Sequence, residues 1–118
     1  MSESLRPQER IRKQSDFVKI YKKGNRYRGK YFNLVYLAND LSVSRMAAVA
    51  SRKVGGSVRR NKAKRWMRTL FRRNKDRLNA SLDLIMIAKP GMPESTWDAL
   101  LDDYMKAVLY INKRNRSE

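Results

Sequence analysis

The sequence contains no cysteine and no histidine. Disulfide bonds are therefore excluded, as is a zinc site built from thiolates or imidazoles. The absence of cysteine suits a reducing cytoplasm. No apolar run approaches the about 20 residues needed to cross a bilayer, so no membrane partner is expected. The opening stretch, MSESLRPQERIRKQ, lacks the apolar segment of a secretory signal. These absences predict a soluble, cytoplasmic protein. One further absence is local: no Asp or Glu falls between Asp40 and Asp76.

The chain has 118 residues, 42% of them hydrophobic, and a formal net charge of +17. That length predicts one domain, spanning 1–118, able to bury a core without staples. So large a positive charge carries no information about fold, but it points to polyanionic partners. Nucleic acid fits better than an acidic membrane, because the apolar residues are needed for a core rather than free to enter lipid.

Residues 1–13 are polar and charged and read as a mobile basic arm. Ser15 is a candidate cap for a short helix that ends at Gly24 and carries Phe17, Ile20 and Tyr21 on one face. Arg26–Ala38 reads as strand, with Gly29 marking a bend between two segments. Within it Tyr31, Asn33, Val35 and Leu37 share one face; Phe32, Leu34 and Tyr36 share the other. Asn39–Ser42 is a turn, and Arg45–Ala50 a second strand of small residues. Leu82–Ala88 is apolar on nearly both faces, as a central strand requires. Ser95 and Asp98 have capping-box spacing ahead of a helix whose Trp97, Leu100, Leu101, Tyr104, Val108 and Ile111 keep a helical period. Residues 113–118 are polar and expected to fray.

Between Val58 and about Asn74 the period is again helical. At about 100° per residue, Ala63, Trp66, Met67, Leu70 and Phe71 fall on one stripe. Asn61, Lys64, Arg65, Arg68 and Arg72 lie roughly opposite. The stripe is predicted to anchor the helix to a sheet and leave a cationic ridge outside. Arg59 and Arg60 occupy the first turn, where the helix dipole is already positive and acids are usual. Free amides, a positive dipole end and guanidiniums together suit phosphate. Adjacent Gly55 and Gly56 would let the backbone approach a partner closely. A merely solvated face would mix signs; this one does not. Side-by-side contact with RNA phosphates is easier for such an anchored helix than deep insertion into a DNA groove. The pattern alone still leaves open a general RNA-binding or chaperone-like protein and a DNA-binding architectural module.

SRKVGGSVRRNKAKRWMRTLFRRNK resembles the signature of the bacterial ribonuclease P protein subunit. SDFVKIYKKG resembles that family's first helix, YFNLVYL its aromatic strand, SRMAAVASRKVG the strand entering the basic loop, and DLIMIAKPG its late strand. The blocks keep the family's order across about residues 9 to 112. The resemblance implies an α/β (α+β two-layer) fold, α-β-β-β-α-β-α, with a four-stranded sheet and a left-handed βαβ crossover, ribosomal protein S5 domain 2-like. It implies a catalytic RNA as partner, one protein per RNA, and precursor tRNA as substrate, the 5′ leader being removed by metal-assisted hydrolysis. The magnesium ions would be held mainly by the RNA, with no tightly bound metal on the protein. Carried over by position, the RNA-binding residues are Arg52, Lys53, Arg59, Arg60, Asn61, Lys62, Lys64, Arg65, Arg68 and Arg72. The leader-binding cleft would use Phe17, Tyr21, Asn33 and Val35. Two departures stand out. Lys62 replaces the motif's usual last arginine, keeping charge but losing the planar fork. Gly56 stands where many members have asparagine.

No catalytic residue is expected in the protein. Hydrolysis by the chain itself would need a general base, a nucleophile or a carboxylate metal cage. Histidine is absent, the eleven acids are scattered, and Asp16 beside Phe17 reads as a capping or solvated group.

Overall fold

A computed structural model describes residues 5–116. Helix α1 (Gln14–Lys23) leads into the hairpin β1 (Asn25–Arg28) and β2 (Phe32–Ala38); β3 (Arg45–Val49), α2 (Ser57–Asn74), β4 (Leu82–Ala88) and α3 (Trp97–Arg116) follow. The order along the four-stranded mixed sheet is β1-β2-β4-β3. β2 pairs with β1 and β4 antiparallel, while β3 pairs with β4 parallel, so α2 is the crossover between adjacent parallel strands. β4 is central, as its two-sided apolar pattern requires.

Alternation divides the sheet into two faces. Phe32, Leu34 and Tyr36 of β2, with Leu84 and Met86 of β4, pack beneath α2 and α3. α2 contributes Ala63, Met67, Leu70 and Phe71; α3 contributes Leu100, Tyr104, Ala107, Val108 and Ile111. The Phe32 and Tyr104 rings lie 6.3 Å apart in this layer, and burial pushes the Tyr104 phenol far above its usual pKa. The opposite face carries Val35, Ala47 and Ile85, which α1 covers with Ile20. The main body is thus a sheet under two helices, with α1 laid across the other side.

Several local expectations need correction. Gly29 does separate two strand segments, and the feature there is the turn joining two paired antiparallel strands rather than a bend or bulge; its amide donates to the Phe32 carbonyl at 3.0 Å. A side chain at Gly29 would meet that carbonyl and the Asp103 carboxylate. Asp103 is buried and accepts from the Lys30 and Tyr31 amides at 3.0 and 2.9 Å, tying the hairpin to α3. Ser15 does not cap α1, which starts one residue earlier after an uncapped Lys13. Thr96, not Ser95, caps α3: its Oγ1 accepts from the Ala99 amide at 3.2 Å. Ser95 turns back to donate to the Met92 carbonyl. The final helix continues through the expected frayed tail as far as Arg116; residues 117–118 lie outside the described residues.

The segment expected to be a mobile arm is docked from Leu5 onward; residues 1–4 lie outside the described residues. Leu5 and Ile11 are buried, Arg10 bridges Met46 in parallel, and the Ile11 amide donates to the Met46 carbonyl at 3.1 Å. The free edge of β3 is thereby covered. Glu9, also buried, pairs with Lys75 at the end of α2 and accepts from the Arg6 amide. Burial opposes its ionisation, but Lys75 and the Arg6 amide outweigh it and hold the carboxyl below its usual range. The unfolded carboxylate therefore takes up a proton at higher pH than the folded one. The Glu9 contribution is complete above the ordinary carboxylate pKa and is lost as pH falls through its lower native value. In Glu9→Gln, the Ile11 amide is expected to lose hydrogen-exchange protection at neutral pH and to show no further loss on acidification. Unchanged protection would mean that Leu5 and Ile11 alone hold the segment.

Candidate nucleic-acid interface

The ridge is where the apolar stripe of α2 leaves it. Asn61 and Arg65 are exposed; Arg60, Lys62, Lys64, Arg68 and Arg72 are half-buried by their stems. Arg52 and Lys53 are exposed on a 3-10 turn, Arg52–Val54, just before the helix. α2 begins on Gly56 with no side-chain cap and no acid in its first turn. Among the described residues, Lys64, Arg65 and Arg68 have no carboxylate partner.

Arg59 and Lys62, both among the ten assigned residues, are engaged within the protein. Arg59 Nε donates to the Val54 carbonyl at 2.9 Å, and its Nη2 pairs with Glu94 in the turn before α3. Lys62 Nζ donates to the Pro93 carbonyl at 3.1 Å and stands 4.7 Å over the Trp66 ring. Glu94 is remote in sequence, so no local reading of the acid-free stretch could reveal this pairing. The two glycines also separate. Gly55 has φ 138°, and a Cβ there would strike the Arg59 side chain at 2.5 Å, so the turn needs glycine. Gly56 has φ −72° and open space around its Cβ position, so its geometry accepts other residues.

On one flank the ridge runs into the docked N-terminal segment. Arg68 faces Arg10 across a cavity of about 190 Å³, with Arg12 and Phe17 at its rim and Ala47 and Ala48 among its lining. Burial, and then the like charge of Arg10, push the Arg68 guanidinium below its usual pKa. Two guanidiniums held together without a carboxylate favour an anion between them. Arg10 and Arg12 were not in the sequence-derived site. Leu5 and Ile11, apolar residues in a polar stretch, were the signal that this segment docks.

Beyond that cavity lies α1. Phe17 is half-buried and Tyr21 is 36% exposed; with Val18, which is 52% exposed, they line a shallow groove of about 530 Å³. Arg26 of β1 donates to the Tyr21 carbonyl and sits over its ring. Asn33 is half-buried on the sheet. Val35 is not available: it is 1% exposed, sealed beneath Ile20 of α1. The half-buried sheet residues on the same face are Asn33, Leu37, Val49 and Ile87.

The carboxylates do not assemble. Among the described residues no three acids gather as a metal cage. Asp16, read as solvated, instead joins Asp83 on Arg45; Glu9, Glu94 and Asp103 are committed as described.

A family model described as Ribonuclease P matches residues 5–112. The ribonuclease P protein component of Thermotoga maritima is 39% identical over 94 residues, 80% of each chain. That of Syntrophus aciditrophicus is 43% identical over 86 residues, 73% of this chain and 72% of the relative. Among solved structures, the ribonuclease P protein from Thermotoga maritima superposes with TM-score 0.76 at 32% identity, covering 85% of this chain and 94% of that one. The Staphylococcus aureus protein gives the same score and identity over 89% and 95%. With the match running through the arm, the sheet and the basic helix alike, this chain belongs to the ribonuclease P protein family, the protein component of the tRNA-processing ribonuclease.

Proposed function

We propose that this protein holds two RNAs at once, in the cytoplasm and as one copy per catalytic RNA. The α2 ridge and the Arg52–Val54 turn grip the catalytic RNA by its phosphates. The groove of α1, with Asn33 on the sheet, takes the single-stranded 5′ leader of precursor tRNA, whose bases stack on Phe17 and Tyr21. The RNA holds the magnesium ions and carries the hydrolysis; the protein supplies affinity and alignment. The observation that carries this reading is the cationic ridge on an anchored helix, where Lys64, Arg65 and Arg68 have no carboxylate partner among the described residues, continuous through Arg68 and Arg10 with an exposed aromatic groove.

Reconstitution with a bacterial catalytic RNA at low magnesium tests it, leader removal being the readout. Arg65→Ala is expected to weaken assembly and reduce the salt slope by about one charge. Phe17→Ala is expected to spare assembly and to reduce the preference for precursor over mature tRNA. Loss of one stacked base costs about 1–3 kcal/mol, roughly 5- to 150-fold. If the two variants show the same defect, the division into two surfaces is wrong. Cleavage by the protein without RNA would refute the assignment of chemistry to the RNA.

A further inference from the structure

The ridge has a second flank, away from Arg68 and Arg10. There Trp66 of α2 and Trp97 at the start of α3 meet edge to face, ring centroids 6.3 Å apart and planes at 85°. Both are half-buried, and with Arg65, Thr69 and Arg73 they line a notch of about 320 Å³. That volume is at the small end of ligand pockets. We propose that this notch receives one unstacked nucleobase of the bound RNA, its flanking phosphates lying on Arg65 and Arg73.

The alternative is a purely structural pair that clips α3 to α2. Three features argue beyond it. The rings leave a cavity where a packing pair would fill one. Every charged side chain lining the notch is a cation. Lys62 stands over the Trp66 ring and Arg73 5.7 Å from the Trp97 centroid, so positive charge surrounds an apolar slot. An apolar slot inside a cationic rim complements a nucleotide, whose base is flat and apolar-faced and whose phosphate is anionic. An apolar peptide would use the slot and gain nothing from the rim. The proposal rests on the reading that the adjoining ridge binds RNA.

The chain has two tryptophans, and both are in this notch, so its tryptophan emission, excited selectively over the tyrosines, reports on this site. The experiment uses the full chain carrying Phe17→Ala, which removes the main aromatic of the α1 groove. A short oligoadenylate is compared with an abasic oligonucleotide of equal length and charge at matched salt. Oligoadenylate is expected to quench the emission and to bind roughly 5- to 150-fold more tightly, the worth of one stacked base. The abasic strand is expected to bind with the same salt slope and leave the emission unmoved. Trp97→Phe should retain most of the difference and Trp97→Ala should abolish it, while abasic binding, which requires the folded ridge, persists in both. If the abasic strand binds and oligoadenylate moves neither affinity nor emission beyond it, the notch reading fails and the ridge reading survives. If neither strand binds, both readings fail.

Discussion

Asp83→Ala is expected to destabilise the protein by about 3–5 kcal/mol, a large share of the roughly 5–15 kcal/mol a domain holds in reserve. Asp83 is a buried carboxylate on β4 facing α1, and three donors converge on it. Arg45 Nε and Nη2 approach at 2.9 and 2.7 Å, and Asn39 Nδ2 at 2.8 Å. The hydrogen bond that Arg45 donates to Asp83 outweighs burial and raises the Arg45 pKa; a guanidinium stays charged even without that partner. Alanine therefore leaves a half-buried cation without its bidentate acceptor. The cost arises from that orphaned charge more than from the lost bond. Replacing both partners, Arg45→Met with Asp83→Leu, is expected to recover most of the stability, because no charge is then stranded. Urea midpoints for the two single variants and the double variant complete the cycle. A loss under about 1 kcal/mol for Asp83→Ala would show that water already solvates the pair. Asp16 reaches the same guanidinium at 3.4 Å from the first turn of α1. The network therefore also seats the helix that presents Phe17 and Tyr21, and links fold stability to the aromatic groove.

That network marks the boundary of what the sequence made legible. Elements with a strong period were readable: the two faces of β2, the apolar centre of β4, and the buried stripe of α2 against its ridge. Each depends on neighbours within a few residues. Arrangements that depend on long-range contacts were not readable. Asp16 beside Phe17 looked like a capping or solvated acid, because its partner Arg45 is 29 residues away. Arg59 looked like a free first-turn cation, because Glu94 is 35 residues away. Val35 was placed on the correct face of β2, but no pattern within that strand says that α1 lies over it. The N-terminal segment is the sharpest case. Its composition is that of a mobile tail, yet Leu5, Ile11 and the buried Glu9 paired with Lys75 dock it beside the edge of β3. Trp66 counted as core by period, and only its meeting with Trp97 shows it at the margin of the ridge.

Changing Lys64, Arg65 and Arg68 together to alanine is expected to flatten the salt dependence of RNA binding by about three phosphate contacts. Each contact contributes a slope near −0.9, so a fourfold rise in salt weakens binding about 3.5-fold per contact. If Arg52, Lys53, Arg60, Lys64, Arg65 and Arg68 each neutralise one phosphate, raising salt from about 50 to about 200 mM costs the parent roughly 1,800-fold and the triple variant roughly fortyfold. Generic attraction by a chain of charge +17 would predict a much smaller change, and internal pairing provides the means to separate the two. Arg59 already has Glu94 as counter-ion, and both are exposed enough for that pair to add at most about 1 kcal/mol to stability. Glu94→Ala should therefore leave the fold intact, release Arg59 and steepen the slope by about one contact. Asp40→Ala, in the exposed turn between β2 and β3, changes net charge equally and should leave the slope alone. Equal effects of the two acid substitutions would mean that total charge, and not the geometry of α2, sets the affinity. A steeper slope for Glu94→Ala alone would place Arg59 on the RNA-facing side of the ridge, held in check by a carboxylate from the other side of the crossover.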